Sequence, residues 1–136
     1  MIASPEQEVA RLATLHEYEI LDTPPDTVLD QLTRLAAQVC GTPIALLGLM
    51  DADRLWFKAK VGIDPIEQPR RRSMCHHTIT QTDVIVVVDA SGDERFIANP
   101  MGSDAPSIRF YAGMPLIDRD GYALGTLCVM DYVPQS

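Results

Sequence analysis

The sequence has no apolar run approaching the roughly 20 residues of a membrane-spanning helix. Its first residues, Met1-Ile2-Ala3-Ser4-Pro5-Glu6, show neither a basic leader nor an apolar core. Neither a spanning helix nor a secretory signal is predicted. Positive charge is also short: eleven Lys and Arg stand against nineteen Asp and Glu, a formal net charge of −8. This disfavours nucleic acid as a partner, because phosphates demand a basic face, and it disfavours an anionic membrane surface. The one basic run, Arg70-Arg71-Arg72, reads as a solvated loop. Cysteine is scarce and odd in number, with Cys40, Cys75 and Cys128 far apart. No Cys-x-x-Cys or His-x-x-x-His spacing occurs, so neither a disulfide framework nor a metal site is predicted, and reduced thiols in a cytoplasm are expected. Repeats and low-complexity tracts are missing.

What is there is 136 residues, 46% hydrophobic. That is enough for a single domain spanning 1–136 with its own core and no covalent staple. A first helix is predicted from Pro5 to about Ile20, with Ser4 and Gln7 forming a capping box and Pro5 in the first turn. Val9, Leu12, Ala13, His16 and Ile20 would form its apolar stripe. Leu15 lies off that stripe and is a candidate contact for a partner. Thr23-Pro24-Pro25 opens a second helix, with Thr23 as cap. Leu29, Leu32, Leu35, Ala36 and Val39 are its expected buried face, and Gly41 its stop.

The period then changes. Ile44 to Met50 is apolar on both faces, as in a central covered strand. Asp51 to Arg54 is a tight turn. In Leu55 to Val61, Phe57, Ala59 and Val61 alternate with Lys58 and Lys60. Gly62 to Arg72 is expected to be loop, Ser73 to Gln81 a short helix capped by Ser73, and Val84 to Val88 a strand. Ser91 to Ser107 reads as irregular, with one helical turn near Asp93 to Ile97. Ile108 to Leu116 and Ala123 to Met130 form a hairpin about Asp118-Arg119-Asp120-Gly121. Hairpin links of this length imply a mainly antiparallel sheet in an α+β fold, with helices on one face and irregular segments on the other.

Several segments resemble the GAF domain, of the bacterial subgroup found ahead of sensor histidine kinases and diguanylate cyclases. They are Tyr18-Glu19-Ile20-Leu21-Asp22-Thr23-Pro24-Pro25, Cys40-Gly41-Thr42-Pro43-Ile44-Ala45-Leu46, Trp56-Phe57-Lys58-Ala59, Ile108 to Leu116, and Leu124 to Asp131. The match runs from about Glu8 to Pro134. The resemblance implies a GAF-like (profilin-like) central antiparallel sheet with terminal helices on one face. Short helices and loops on the other face would form a ligand pocket. It also implies a homodimer through the helices and control of a signalling output, as in two-component systems. The output domain, a kinase or a diguanylate cyclase, is not among these residues.

Chemistry-bearing residues are few. Cys75-His76-His77 has three metal-capable side chains, but neighbours on a helix diverge by about 100° and cannot readily close on one ion. A buried Cys75 with a solvated His is the simpler reading. Free methionine sulfoxide reductases, which share the GAF fold, place a cysteine before a short helix, as Cys75 stands here. Their catalytic thiol lies in the segment that here reads Phe96-Ile97-Ala98-Asn99-Pro100-Met101-Gly102, without cysteine. Their acidic residues on the last two strands correspond to Tyr111, Cys128 and Met130. No catalytic residue is therefore assigned, and the chain is expected not to be an enzyme. A bilin attached near Cys75-His76, or haem on His76 or His77, has no further signature, so the cofactor is left unassigned.

By strand parity, Arg109, Tyr111 and Gly113 share one face, as do Thr126, Cys128 and Met130. The reductase resemblance turns both sets toward one pocket. Its expected ligand-binding residues are Arg109, Tyr111, Cys128, Met130, Cys75 and Phe96. Arg109 either takes an anionic ligand or pairs with Asp89 or Asp93. The opposite set, Ile108, Phe110, Ala112, Met114, Leu127 and Val129, would pack on the helices. The expected function is a non-enzymatic sensory module that binds a small molecule or dimerises to control an output. The alternatives are a divergent free methionine sulfoxide reductase and a structural dimerisation domain whose pocket is filled.

Overall fold

A computed structural model describes residues 4–90 and 108–135. The expectations for Ser91 to Ser107, with its helical turn near Asp93 to Ile97, and for Phe96 lie outside the described residues. Among the described residues ten elements follow in order: α1 (Pro5–Glu17), α2 (Thr27–Cys40), β1 (Ile44–Met50), β2 (Arg54–Val61), β3 (Glu67–Pro69), a 3-10 turn (Arg70–Arg72), α3 (Cys75–Thr78), β4 (Ile85–Val87), β5 (Phe110–Ile117) and β6 (Ala123–Asp131). The strands form one antiparallel sheet in the order β3-β2-β1-β6-β5-β4. This is the expected α+β architecture, with β3 and the 3-10 turn falling where only loop was predicted.

The apolar run of β1 is central and covered on both faces. Ile44, Leu46 and Met50 join the cluster on the α3 side, while Ala45 and Leu49 face the long helices. Tyr111, Cys128 and Met130 lie in the α3-side cluster. The hairpin of β5 and β6 turns on Gly121, whose φ of 91° only glycine accepts readily, and Asp118 accepts from the N–H of Asp120 and of Tyr122.

Four expectations are corrected. First, α1 ends at Glu17, because Glu19 takes a left-handed φ of 52° and turns the chain. Its buried residues are Arg11 and Leu15, not the Val9 stripe, and Leu15 is wholly buried (0% exposed) against Leu49, Trp56 and Leu124. The miss came from counting Arg11 as polar. Its stem lies in the core-facing position while its guanidinium is held by Glu8 and by the carbonyl of Ala123.

Second, α2 is capped by Asp26, which accepts from the N–H of Leu29, and not by Thr23. It buries Thr33 and Ala37 and leaves Leu32, Leu35 and Val39 exposed. Two small residues at i and i+4 let the helix backbone approach Ala45, Phe110 and Val129 closely, and the leucines flank that contact. The Gly41 stop holds, with φ 66°.

Third, β2 does not alternate strictly. Leu47 pairs with Ala59 but Gly48 pairs with Phe57, so Lys58 is an extra, unpaired residue. This bulge flips the parity. Leu55 and Phe57 face the α3 side, whereas Val61 faces α2. Fourth, Ile108 packs with the α3-side cluster and not on the helices. β5 begins only at Phe110, so strand alternation does not extend back to Ile108 and Arg109.

Candidate functional site

The expected pocket residues are positioned by β5, β6 and α3. On β5, Tyr111 is followed two residues later by Gly113 on the same face. Register places Tyr111 opposite Met130 and Gly113 opposite Cys128. A Cβ on Gly113 would collide with the Tyr111 ring and hydroxyl. The glycine therefore gives the ring room to lie along the sheet, toward Cys128. The Tyr111 hydroxyl reaches Thr78 Oγ1 at 2.6 Å and donates to Cys75 Sγ at 3.4 Å.

Cys75 opens α3. The helix is only four residues, shorter than the expected Ser73 to Gln81, and its N-cap is Met74 and not Ser73, although Ser73 Oγ accepts the N–H of His76. The Cys75 sulfur lies 3.7 Å from Cys128 Sγ and accepts from Thr126 Oγ1 at 2.9 Å. Cys75, Thr78, Tyr111, Thr126, Cys128 and Met130 are all buried, none more than 2% exposed. The cluster brings together four of the six expected site residues: Tyr111, Cys128, Met130 and Cys75. Arg109 is held elsewhere, its Nε and Nη2 donating to Asp89 at 2.8 and 2.9 Å. Phe96 lies outside the described residues.

The electrostatics of the cluster are asymmetric. The thiol of Cys128 and the hydroxyls of Thr126 and Tyr111 converge on the Cys75 sulfur, and together they outweigh its burial. Cys75 is held at about 7, below an ordinary thiol. Cys128, with the Cys75 sulfur against it and itself buried, is pushed well up. Burial, then the neighbouring sulfurs, push Tyr111 up as well. The groups around the sulfur are hydroxyls and a thiol. They can stabilise negative charge on Cys75.

The two histidines diverge from Cys75. His76 Nδ1 accepts from Arg70 Nε at 3.2 Å, beside the carboxylate of Glu8. Burial, then the nearby Arg70 and His77, lower its affinity for a proton. No group of three or more His, Cys, Asp or Glu side chains is placed to share a metal ion among the described residues. Nor is any helix there long and apolar enough to cross a membrane.

Three features escaped the sequence reading. Glu8 serves two guanidiniums, Arg11 and Arg70, and so ties α1 to the 3-10 turn. A cavity of about 480 Å³ lies beside this clamp, lined by Arg71, His76 and Thr80 among others. Glu8 and Arg11 share the i,i+3 spacing of one helix face, but no spacing relates them to position 70, so nothing local announced the clamp. Thr78 supplies the partner of the Tyr111 hydroxyl, and only a Tyr-x-Gly pattern on one strand face pointed toward it. On the opposite side of the sheet, a mostly apolar groove of about 820 Å³ runs over Leu47, Leu127 and Met114, bordered by Leu29 and Leu32.

Comparison with known proteins bears on the family and the fold. The sequence model of the GAF domain matches residues 24–136. A cyclic di-GMP phosphodiesterase of Pseudomonas aeruginosa is 40% identical over 131 residues, which is 96% of this chain and 22% of that relative. The chain thus spans about a fifth of its relative's length. Among solved structures, the GAF domain of an Acinetobacter phosphoenolpyruvate-protein phosphotransferase superposes with a TM-score of 0.64 at 20% identity, covering 98% of this chain and 82% of that one. A free methionine-R-sulfoxide reductase of Neisseria meningitidis, solved with its substrate, gives 0.61 at 18% identity, covering 98% and 80%. At these identities the structural likenesses speak for the fold alone.

Proposed function

The chain belongs to the GAF domain family, and from that premise we propose that it is a non-enzymatic regulatory module that acts by self-association through its helical layer. The observation that carries this reading is the outer face of α2. Val28, Leu32, Leu35 and Val39 are each at least half exposed, and Leu32 also lines the apolar groove over β1, β5 and β6. Apolar residues clustered this way belong to contact surfaces more often than to free ones. The occupant that fits is a second copy, which brings the same apolar face. The relative from Pseudomonas aeruginosa supports an output in cyclic dinucleotide signalling, carried by a longer protein. A kinase or a diguanylate cyclase is the other output the family resemblance implies.

Sedimentation equilibrium tests the reading. A dimer is expected, and Leu35→Glu should abolish it while leaving the thermal melt nearly unchanged, since Leu35 is 52% exposed. Monomer alone at high micromolar concentration would sink the proposal. The earlier candidate for this contact, Leu15, cannot serve, because it is core.

A small-molecule role for Tyr111, Cys128, Met130 and Cys75, with Arg109 and Phe96, is the second reading. It is favoured by the convergence of three hydroxyls, from Thr78, Tyr111 and Thr126, in an otherwise apolar layer. Native mass spectrometry of freshly purified protein tests it, and a mass equal to the bare chain would count against it. A coupled assay with free methionine sulfoxide addresses the enzymatic alternative, and turnover there would overturn the non-enzymatic reading.

A further inference from the structure

Neither reading above draws on the contact between the two thiols that meet in the interior. Cys75 Sγ and Cys128 Sγ are 3.7 Å apart, in van der Waals contact, and belong to different elements. The Cys75 sulfur accepts from two hydroxyls, Thr126 at 2.9 Å and Tyr111 at 3.4 Å. Hydrogen bonds donated to sulfur favour its thiolate, the form that attacks an electrophile. Cys128 Sγ lies against that sulfur. One sulfur is prepared to attack, and the other waits within reach to resolve.

We propose that Cys75 and Cys128 are an oxidisable dithiol, a modification site that a hydroperoxide closes to an intrachain disulfide. The Cys75 thiolate attacks the distal oxygen of the hydroperoxide. The O–O bond breaks, Cys75 becomes a sulfenic acid, and the alcohol (or water, from hydrogen peroxide) leaves with the proton that Cys75 gave up. Cys128 sulfur then attacks Cys75 sulfur, the S–O bond breaks, and water leaves with the Cys128 proton. Two thiols and one hydroperoxide yield one disulfide, one alcohol and one water, with two electrons passing from sulfur to oxygen.

Closure must shorten the sulfur separation to about 2.05 Å. β6 is fixed between β1 and β5 by two ladders, whereas α3 is a single turn of four residues. The adjustment therefore falls on α3. His76 of that turn is bonded to Arg70, and Arg70 to Glu8 of α1. A shift at Cys75 is thus passed to the terminal helix through two contacts.

Both sulfurs are buried and Cys40 is exposed, so Cys40 is replaced in the test. The full chain carrying Cys40→Ser is treated with hydrogen peroxide, unfolded, alkylated with N-ethylmaleimide and mapped by mass spectrometry. The expected result is a loss of two hydrogens, no alkylation of either cysteine, a linked Cys75–Cys128 peptide, and reversal by dithiothreitol. Added Cys128→Ser should halt the reaction at a Cys75 sulfenic acid that dimedone traps. Added Cys75→Ser should leave Cys128 reduced. Thr126→Val, nearly isosteric, should slow closure severalfold by removing a donor. Full alkylation of both cysteines, at peroxide levels that oxidise Cys40 in the parent chain, would overturn the proposal. So would sulfenic acid at Cys128 in the Cys75→Ser chain.

Discussion

The two faces of this sheet are finished differently. On the α3 side a single cluster runs from Ile44 and Leu46 through Leu55 and Phe57 to Tyr111, Cys128 and Met130. The long-helix side is divided. Leu15, Leu49, Trp56 and Leu124 pack under α1, and Ala37, Ala45, Phe110 and Val129 pack under α2, with the apolar groove between. The cause is local. A helix that docks through Thr33 and Ala37 comes close to the sheet, but it cannot also turn Leu32, Leu35 and Val39 inward. One face is completed by the chain itself. The other keeps apolar surface outward, where the proposed second copy would bury it.

The largest expected effect separates core from contact on that helical side. Leu15→Glu would place a carboxylate among Leu49, Trp56 and Leu124. The lost side chain alone costs about 2–5 kcal/mol, and the desolvated charge adds to it. Against a total of about 5–15 kcal/mol for an ordinary domain, the variant should be largely unfolded by circular dichroism. Leu35→Glu should melt close to the parent. A folded Leu15→Glu protein would remove Leu15 from the core. A collapsed Leu35→Glu protein would move the outer face of α2 from contact surface into fold.

The next effect probes the completed face. Tyr111→Phe removes the 2.6 Å partner of Thr78 Oγ1, whose residue is fully buried. An orphaned buried hydroxyl costs about 1–3 kcal/mol. Tyr111→Ala should cost more, about 3–5 kcal/mol, as a large aromatic truncation does. Chemical denaturation reads both. If Tyr111→Ala costs little and instead gains small-molecule binding, the layer is a ligand site rather than a filled interior.

Much of this fold was legible because periodicity and turn chemistry are local. The capping box at Ser4 and Gln7, the Gly41 stop, the doubly covered β1 and the Gly121 hairpin all follow from neighbours within a few positions. What failed depended on partners distant in sequence. Arg11 takes a buried position because Glu8 and the Ala123 carbonyl hold its head. The extra residue at Lys58 appears only when β2 is registered against β1. In the candidate site, parity on β6 correctly grouped Thr126, Cys128 and Met130. Parity on β5 was extended too far, to a residue outside the strand.

A smaller effect tests the clamp that joins the helical side to the α3 side. Burial raises the affinity of Glu8 for its proton, but hydrogen bonds from Arg11 and Arg70 outweigh it and bring the carboxyl to about 2, against an ordinary 4.5. A depressed carboxyl stabilises the fold above its ordinary value, and that contribution is lost as pH falls from about 4.5 toward 2. Glu8 is partly exposed, so solvent screening holds the gain near the upper end of surface pairs, about 1 kcal/mol. Glu8→Gln should therefore melt slightly below the parent at neutral pH, and the two curves should converge as pH approaches 2. A gap independent of pH would mean that Glu8 acts by packing and not by charge.

The smallest effect is expected at Arg109, just ahead of the first residue of β5. Its guanidinium meets both oxygens of Asp89, and the two side chains are 39% and 38% exposed. The side-chain bonds to Asp89, then its charge, hold the guanidinium protonated, but water competes for the same groups. Arg109→Ala should leave the melt almost unmoved. Whatever small difference remains should vanish at about 1 M salt, where the screening length is about 3 Å. A strong loss would mean that the pair is buried by something bound over it, such as a second copy or a ligand. The measurement that distinguishes these is the melt of parent and variant over a dilution series. A gap that shrinks with dilution belongs to association. A gap that persists, and closes only when a small anion is withheld, belongs to a ligand held by Arg109. No gap at any concentration leaves Arg109 as a surface pair, and the completed face of the sheet then owes nothing to it.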